Sequence, residues 1–129
     1  MKKLILATIL ASSAALAGPY DQPYSQVLTD TRPSADPNVI PVIVNRIDDV
    51  TVHNNGAIAP GMHKVTLDVP PRKGYPATQV SFDLETKACV LYYVNARLKS
   101  RTLQEWEPFV RSTERLRDCE AKFHVTGEG

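Results

Sequence analysis

The chain has 129 residues and almost balanced charge, with 15 lysines and arginines against 14 aspartates and glutamates. That length fits one small domain, whose core is modest by size. Charge this close to neutral argues against a nucleic-acid binder and against a polybasic membrane binder.

The first 17 residues show the three parts of a cleavable secretory signal peptide. A positive start at residues 1–3 precedes an apolar run at 4–11, and Ala15-Leu16-Ala17 forms a small-x-small cleavage site before Gly18. A membrane anchor is the alternative, but the whole apolar stretch has 14 residues, where a bilayer needs about 20. We therefore predict an exported chain, periplasmic or secreted, with no membrane span once mature.

Residues 18–38 are predicted to form a disordered, proline-rich arm, because they show no apolar periodicity. Among polar residues the segment carries four prolines, Pro19, Pro23, Pro33 and Pro37. Either the arm is a tether left after cleavage, or it docks on a partner through Tyr20 and Tyr24.

From residue 39 onward, short segments of alternating polarity are separated by turns. Strands are predicted over residues 39–47, 50–53, 62–69, 78–85, 89–98 and 120–126. The strand at 89–98 is apolar on both faces, which is typical of a central position. The connection at 86–88 predicts a hairpin between the two strands that flank it. A short helix is predicted over 108–117, since proline is accepted in a first helical turn.

Six strands within about 90 residues predict a mainly β fold. We expect a small antiparallel β-sandwich over residues 39–129, with one short C-terminal helix. Cys89 and Cys119 are the only cysteines, and in an exported chain they are expected to form a disulfide that closes a loop of about 30 residues. A redox pair is the alternative, but the Cys-x-x-Cys spacing that lowers a thiol pKa is missing.

Residues that carry chemistry are scattered along the sequence. His53, His63 and His124 follow no zinc-ligand spacing, and no serine stands in a Gly-x-Ser-x-Gly context. Asp48 and Asp49 fall in a predicted turn, where aspartate is common for local reasons. The sequence therefore predicts no catalytic residue, no metal site and no cofactor, and it favours a protein that is not an enzyme.

Two groups of residues are typical of binding surfaces instead. The first combines aromatic rings with arginines, as binding hot spots do, and could recognise a protein or a sugar: Tyr93, Arg97, Arg101, Trp106 and Phe109. In the alternative interpretation, Trp106 and Phe109 close the core, since burying one such ring contributes about 1.5–3 kcal/mol. The second group lies in the predicted loop 70–76 and is a candidate inhibitory loop: Arg72, Lys73 and Tyr75.

Residues 47–98 also contain a turn ending in Pro60-Gly61, followed by a strand of the pattern His-x-Val-x-Leu and further strands. The matching strand residues are His63, Val65 and Leu67. In this arrangement the segment resembles the PEGA-like and transthyretin-like β-domains of bacterial envelope proteins. The resemblance implies a non-catalytic accessory or interaction module at the envelope, and it transfers no site residues.

The function expected from the sequence is that of an exported, non-enzymatic β-domain, an envelope accessory or protein-interaction module. Its partner would be a protein or another envelope component. Two alternatives stay open: a secreted inhibitor of a hydrolase such as a protease or muramidase, and a periplasmic enzyme whose site the sequence does not reveal.

Overall fold

The computed structural model describes residues 18–52, 56–72, 74–100, 102 and 104–127. The predicted signal peptide at 1–17 lies outside these residues. In the described part the secondary structure comprises β1 (Gln26–Thr29), β2 (Val39–Ile40), β3 (Ile43–Ile47), β4 (Val50–Thr51), β5 (Gly61–Val69), β6 (Thr78–Thr86), β7 (Val90–Ser100), β8 (Glu105–Arg115) and the helix α1 (Arg117–Phe123). No helix among these residues is long and apolar enough to cross a membrane.

The strands form two four-stranded sheets, which confirms the predicted mainly β fold. In the first sheet β7 is central: β8 runs antiparallel along one side, while β1 (parallel) and β2 (antiparallel) pair with the other side. The second sheet is antiparallel throughout, in the order β4-β3-β5-β6. The inner faces of the two sheets share one hydrophobic core.

Strict alternation on β5 and β7 builds this core. Val65, Leu67 and Val69 of β5 are at most 1% exposed, as their spacing predicts. On β7 the inward stripe includes Val90 and Val94, both fully buried, and on the opposite side of the strand Leu91 and Asn95 are buried too. The prediction that this strand is central is confirmed.

The predicted hairpin across residues 86–88 is wrong. Strand β6 pairs with β5 in the second sheet, whereas β7 belongs to the first sheet, so the connection crosses from one layer to the other. Alternation shows which face of a strand is buried, but not which neighbour it pairs with. At the crossing Cys89 adopts a positive φ of 61°, and the Tyr92 hydroxyl accepts a hydrogen bond from the Lys87 amide at 2.8 Å.

The C-terminal prediction is also corrected. Residues 105–115 form β8, so the helix predicted over 108–117 is a strand, and the strand predicted over 120–126 is largely α1. Pro108 lies opposite Ala96, and β8 tolerates it because an edge strand has amides on one side that need no partner. Helix α1 ends at Phe123, and its C-cap residue His124 has a φ of 56°, the left-handed conformation common at helix C-termini.

Residues 18–38 are not an arm without regular structure. Strand β1 pairs in parallel with β7, and Ser25, Val27 and Asp30 are all at most 4% exposed. Four residues are too few to show a period, and two of the three buried side chains are polar, so composition gave no sign of burial. The predicted strand at 39–47 is likewise divided at Pro41 and Val42, since β2 lies in the first sheet and β3 in the second.

Cys89 and Cys119 are bonded, with their Cα atoms 5.3 Å apart, as predicted. The bond joins the turn before β7 to helix α1. Both cysteines are fully buried. A disulfide in this position is compatible with an exported protein.

Candidate interaction surface

The predicted aromatic and arginine set is divided between the two faces of the first sheet. Trp106 of β8 lies opposite Leu98 on the inner face and is 6% exposed. Its ring meets Tyr75 edge-on at 6.4 Å between centroids, and its indole N–H has no hydrogen-bond partner in the described structure. Trp106 is therefore a core residue, as in the second interpretation of the sequence.

Three members of the set lie on the outer face, the side turned away from the second sheet. Tyr93 and Arg97 project from β7, and Phe109 projects from β8 beside Asn95. The Arg97 guanidinium lies over the Phe109 ring, with its carbon 4.4 Å from the ring centroid. Arg101, the remaining member, lies outside the described residues.

A second arginine, Arg32, completes the same arrangement on Tyr93. Its guanidinium carbon is 5.3 Å from the Tyr93 ring centroid. Arginine favours such positions because its planar cation is attracted to the face of a ring. We call Arg32, Tyr93, Arg97 and Phe109 the arginine–aromatic face. Arg32 was missed in the sequence because it falls in the segment predicted to be disordered.

Carboxylates hold both arginines of this face in place. Arg97 lies 3.7 Å from Asp36 and 3.6 Å from Glu107, and its side chain stays 42% exposed. Arg32 donates to Asp30 through Nε at 2.9 Å and Nη2 at 2.7 Å, while its side chain is 62% exposed. Both cations are thus oriented and still accessible.

Asp30 is the buried support of the arginine–aromatic face, with its side chain 1% exposed. Hydrogen bonds from the Arg32 side chain and, more weakly, the nearby charge of Arg111 lower the pKa of Asp30 from its ordinary 3.8 to about 2. Burial acts in the opposite direction but is outweighed. The carboxylate is therefore ionised at neutral pH.

Arg111 fastens the loop after β1 onto the sheet. It occupies a β-bulge, where register shifts between the pairs Tyr93–Ser112 and Val94–Val110. From there its guanidinium donates to the carbonyls of Arg32 at 2.6 Å and Pro33 at 2.8 Å. Its other contacts are Asn95 Oδ1 at 3.2 Å and the Asp30 carboxylate at 3.6 Å. The result is a loop whose position is fixed on the outer face.

The candidate inhibitory loop is a tight turn at the end of the β5–β6 hairpin. Arg72 and Tyr75 exchange backbone hydrogen bonds at 2.9 and 2.7 Å, and Gly74 between them has a φ of 86° that suits glycine. Tyr75 turns toward Trp106 and is half-buried, whereas Arg72 is exposed. Lys73 lies outside the described residues.

The histidines lie apart. His63 contacts the Asp48 carboxylate through Nδ1 at 2.5 Å and the Ala59 carbonyl through Nε2 at 2.6 Å, which fixes the turn beside β5. His124 is the C-cap residue of α1, and His53 lies outside the described residues. Among the residues that the structure describes, no group of three or more histidine, cysteine or acidic side chains could hold a metal ion.

The chain matches no protein-family model, no curated protein and no solved structure. The resemblance to PEGA-like and transthyretin-like domains therefore stays a prediction. Any assignment of function has to be argued from the residues of this chain.

Proposed function

We propose that this chain is an exported, non-enzymatic β-sandwich that binds a protein partner through the arginine–aromatic face. The observation that carries the proposal is the pairing of two exposed arginines with two half-buried rings on one face of the first sheet. Arginine and aromatic residues dominate the energetics of protein interfaces, because they combine large contact area with polar groups. Export is supported by the signal-peptide pattern and by the disulfide.

The rigidity of the face supports this role. An interface made of free side chains loses about 0.5–1.5 kcal/mol per immobilised side chain on binding. Here Asp30, Asp36 and Glu107 already restrict the two arginines, so less entropy is lost when a partner docks. Guanidinium N–H groups that are not engaged remain available for carboxylates of the partner. The expected partner presents apolar and acidic side chains together.

The test starts from the oxidised chain of residues 18–129, immobilised and exposed to an envelope extract of its own source. A partner that is recovered and identified is then titrated against Arg97→Ala and Phe109→Ala. Each substitution is expected to weaken binding by about tenfold or more, as hot-spot truncations do.

Lys64→Ala is the matched control, because Lys64 is an exposed cation on the outer face of the second sheet. It should leave the affinity unchanged. Recovery of no partner, or equal binding by wild type and Arg97→Ala, would contradict the proposal.

The inhibitor hypothesis remains a second candidate, because the turn at 72–75 holds an exposed arginine on a hydrogen-bonded backbone. Rigid exposed loops are the form in which inhibitors present a side chain to a hydrolase. A panel of proteases and muramidases, assayed with wild type and Arg72→Ala, tests it. Inhibition that depends on Arg72 would support this candidate, and unchanged activity across the panel would remove it.

A further inference from the structure

A cleft of about 430 Å³ opens at one end of the second sheet, where β5 runs into the loop 70–77. That size is within the ~300–1,000 Å³ range of ligand sites in proteins. Its walls are mainly apolar and include Ile43, Val69, Pro70, Pro71 and Ala77. Ile43 is 60% exposed at the mouth, which is high for a branched apolar side chain.

One carboxylate, that of Asp68, lies in this apolar lining. Asp68 is paired with Ile43 on β3 and with Gln79 on β6, so the three outward side chains stand in a row across the sheet. Asn45 Nδ2 contacts both carboxylate oxygens at 3.0 Å, and Gln79 Nε2 donates to Oδ1 at 2.8 Å. These amides orient the carboxylate without neutralising its charge.

The negative charge of Asp68 has no cationic partner among the described residues. The ion pairs of that part of the chain involve other carboxylates, those of residues 21, 30, 36, 48, 49, 107 and 120. A carboxylate offers about four acceptor positions. Among the described residues, the two amides occupy both positions on Oδ1 and one on Oδ2, which leaves one position on Oδ2.

We propose that this cleft binds the lysine side chain of a protein partner. The four-carbon stem of lysine matches the apolar walls, and the ammonium supplies Asp68 with a positive charge that no described residue provides. A single free acceptor position suits a point charge better than the two-pronged guanidinium of arginine, which binds carboxylates in pairs of hydrogen bonds. The site is on the second sheet, so its test is independent of the arginine–aromatic face.

The test is an NMR titration of the ¹⁵N-labelled, oxidised chain 18–129 with a blocked tripeptide, acetyl-Ala-Lys-Ala-amide. Saturable shifts are expected at the amides of Ile43, Asp68 and Gln79, with a Kd in the range of about 1–10 mM for so small a probe. The same peptide with norleucine keeps the stem and lacks the charge, and it should bind at least tenfold more weakly.

Asp68→Asn is the decisive variant and should also weaken lysine-peptide binding about tenfold. Asp83→Asn is its matched control, since Asp83 is an exposed carboxylate opposite Lys64, farther along the same sheet. If Asp68→Asn disturbs the fold, Ile43→Ser removes an exposed wall instead and should weaken both the lysine and the norleucine peptide. Binding unaffected by either change would overturn the proposal. Equal or tighter binding of the corresponding arginine peptide, acetyl-Ala-Arg-Ala-amide, would also overturn it, because the proposed site accepts a point charge rather than a two-pronged guanidinium.

Discussion

Burying a carboxylate destabilises a fold unless the charge is paired, and the surroundings of Asp30 show how this chain pairs it. The spacing Asp30-x-Arg32 lets one residue supply both a backbone amide at 3.0 Å and a bidentate side chain. Arg111 reaches the same carboxylate from β8. One anion therefore organises two cations from distant parts of the sequence, and with them the loop that carries Arg32.

Replacing Asp30 by asparagine tests this arrangement through pH. Because the folded pKa of Asp30 is lowered to about 2, its ionised form stabilises the fold above pH ~4, and the contribution is lost as pH falls from about 4 to about 2. Asp30→Asn should reduce the free energy of unfolding by about 1–2 kcal/mol at pH 7, a range that allows for screening at the exposed Arg32. Near pH 2 the two proteins should converge, as measured by urea denaturation. A pH-independent difference would contradict this assignment of the pKa.

At the scale of elements, α1 is the part of the fold least able to stand alone. It has seven residues and no side-chain cap at its N-terminus, and isolated helices shorter than about 12 residues are marginal in water. The contacts that hold it include the disulfide through Cys119, the Arg115–Glu120 ion pair at 2.7 Å, and the edge-on packing of Phe123 on Tyr24.

Removing the disulfide should therefore affect α1 first. The double variant Cys89→Ala/Cys119→Ala is expected to lose roughly 3–4 kcal/mol of stability, the chain-entropy value for a loop of this length. Hydrogen exchange of the amides in α1 should accelerate more than that of β5, which lies in the other sheet. Unchanged protection of α1 in the variant would show that packing alone holds the helix.

The same elements show what the sequence can and cannot predict. Alternation on β5, β6 and β7 identifies strands to within one or two residues, because every second side chain of a strand lies on the same face. Alternation does not specify which strands pair, so the passage of the chain from the second sheet to the first after β6 was not predicted. β8 was not predicted as a strand, because it contains Pro108 and several charged residues. It lies at the edge of its sheet, and the outer face of such a strand does not require an apolar pattern.

Only part of the arginine–aromatic face was predicted from the sequence, again because alternation does not specify how strands pair. Tyr93, Arg97 and Phe109 share a face, but that depends on the register of β8 against β7, which the sequence does not reveal. Trp106 is on the opposite face by that register. Arg32 and Asp30 reach the face through contacts between residues about 80 positions apart, such as Arg32 with Ser112 at 2.8 Å, and no local pattern encodes them.

At the scale of the whole molecule, the segment at the start of the described residues is in contact with helix α1, which lies near their end. Lys122 of α1 donates to the Tyr20 carbonyl at 2.7 Å and lies 3.8 Å from Asp21. Tyr20 packs edge-on against Tyr24, with ring centroids 5.0 Å apart. Through the disulfide this terminal cluster is anchored to the start of β7, the central strand of the first sheet.

The predicted cleavage site before Gly18 adjoins this cluster. The Gly18 nitrogen donates to Asp21 Oδ2 at 2.7 Å, so cleavage after Ala17 would create an α-ammonium already placed against a carboxylate. We predict that the exported protein begins at Gly18 and carries one disulfide, which N-terminal sequencing and intact mass with and without reductant will measure. Asp21→Asn should leave the cleavage position unchanged and lower the pKa of the new α-amino group, because it removes the nearby negative charge. A chain recovered only at full length from the envelope fraction would contradict the processing, and with it the export on which the proposed function depends.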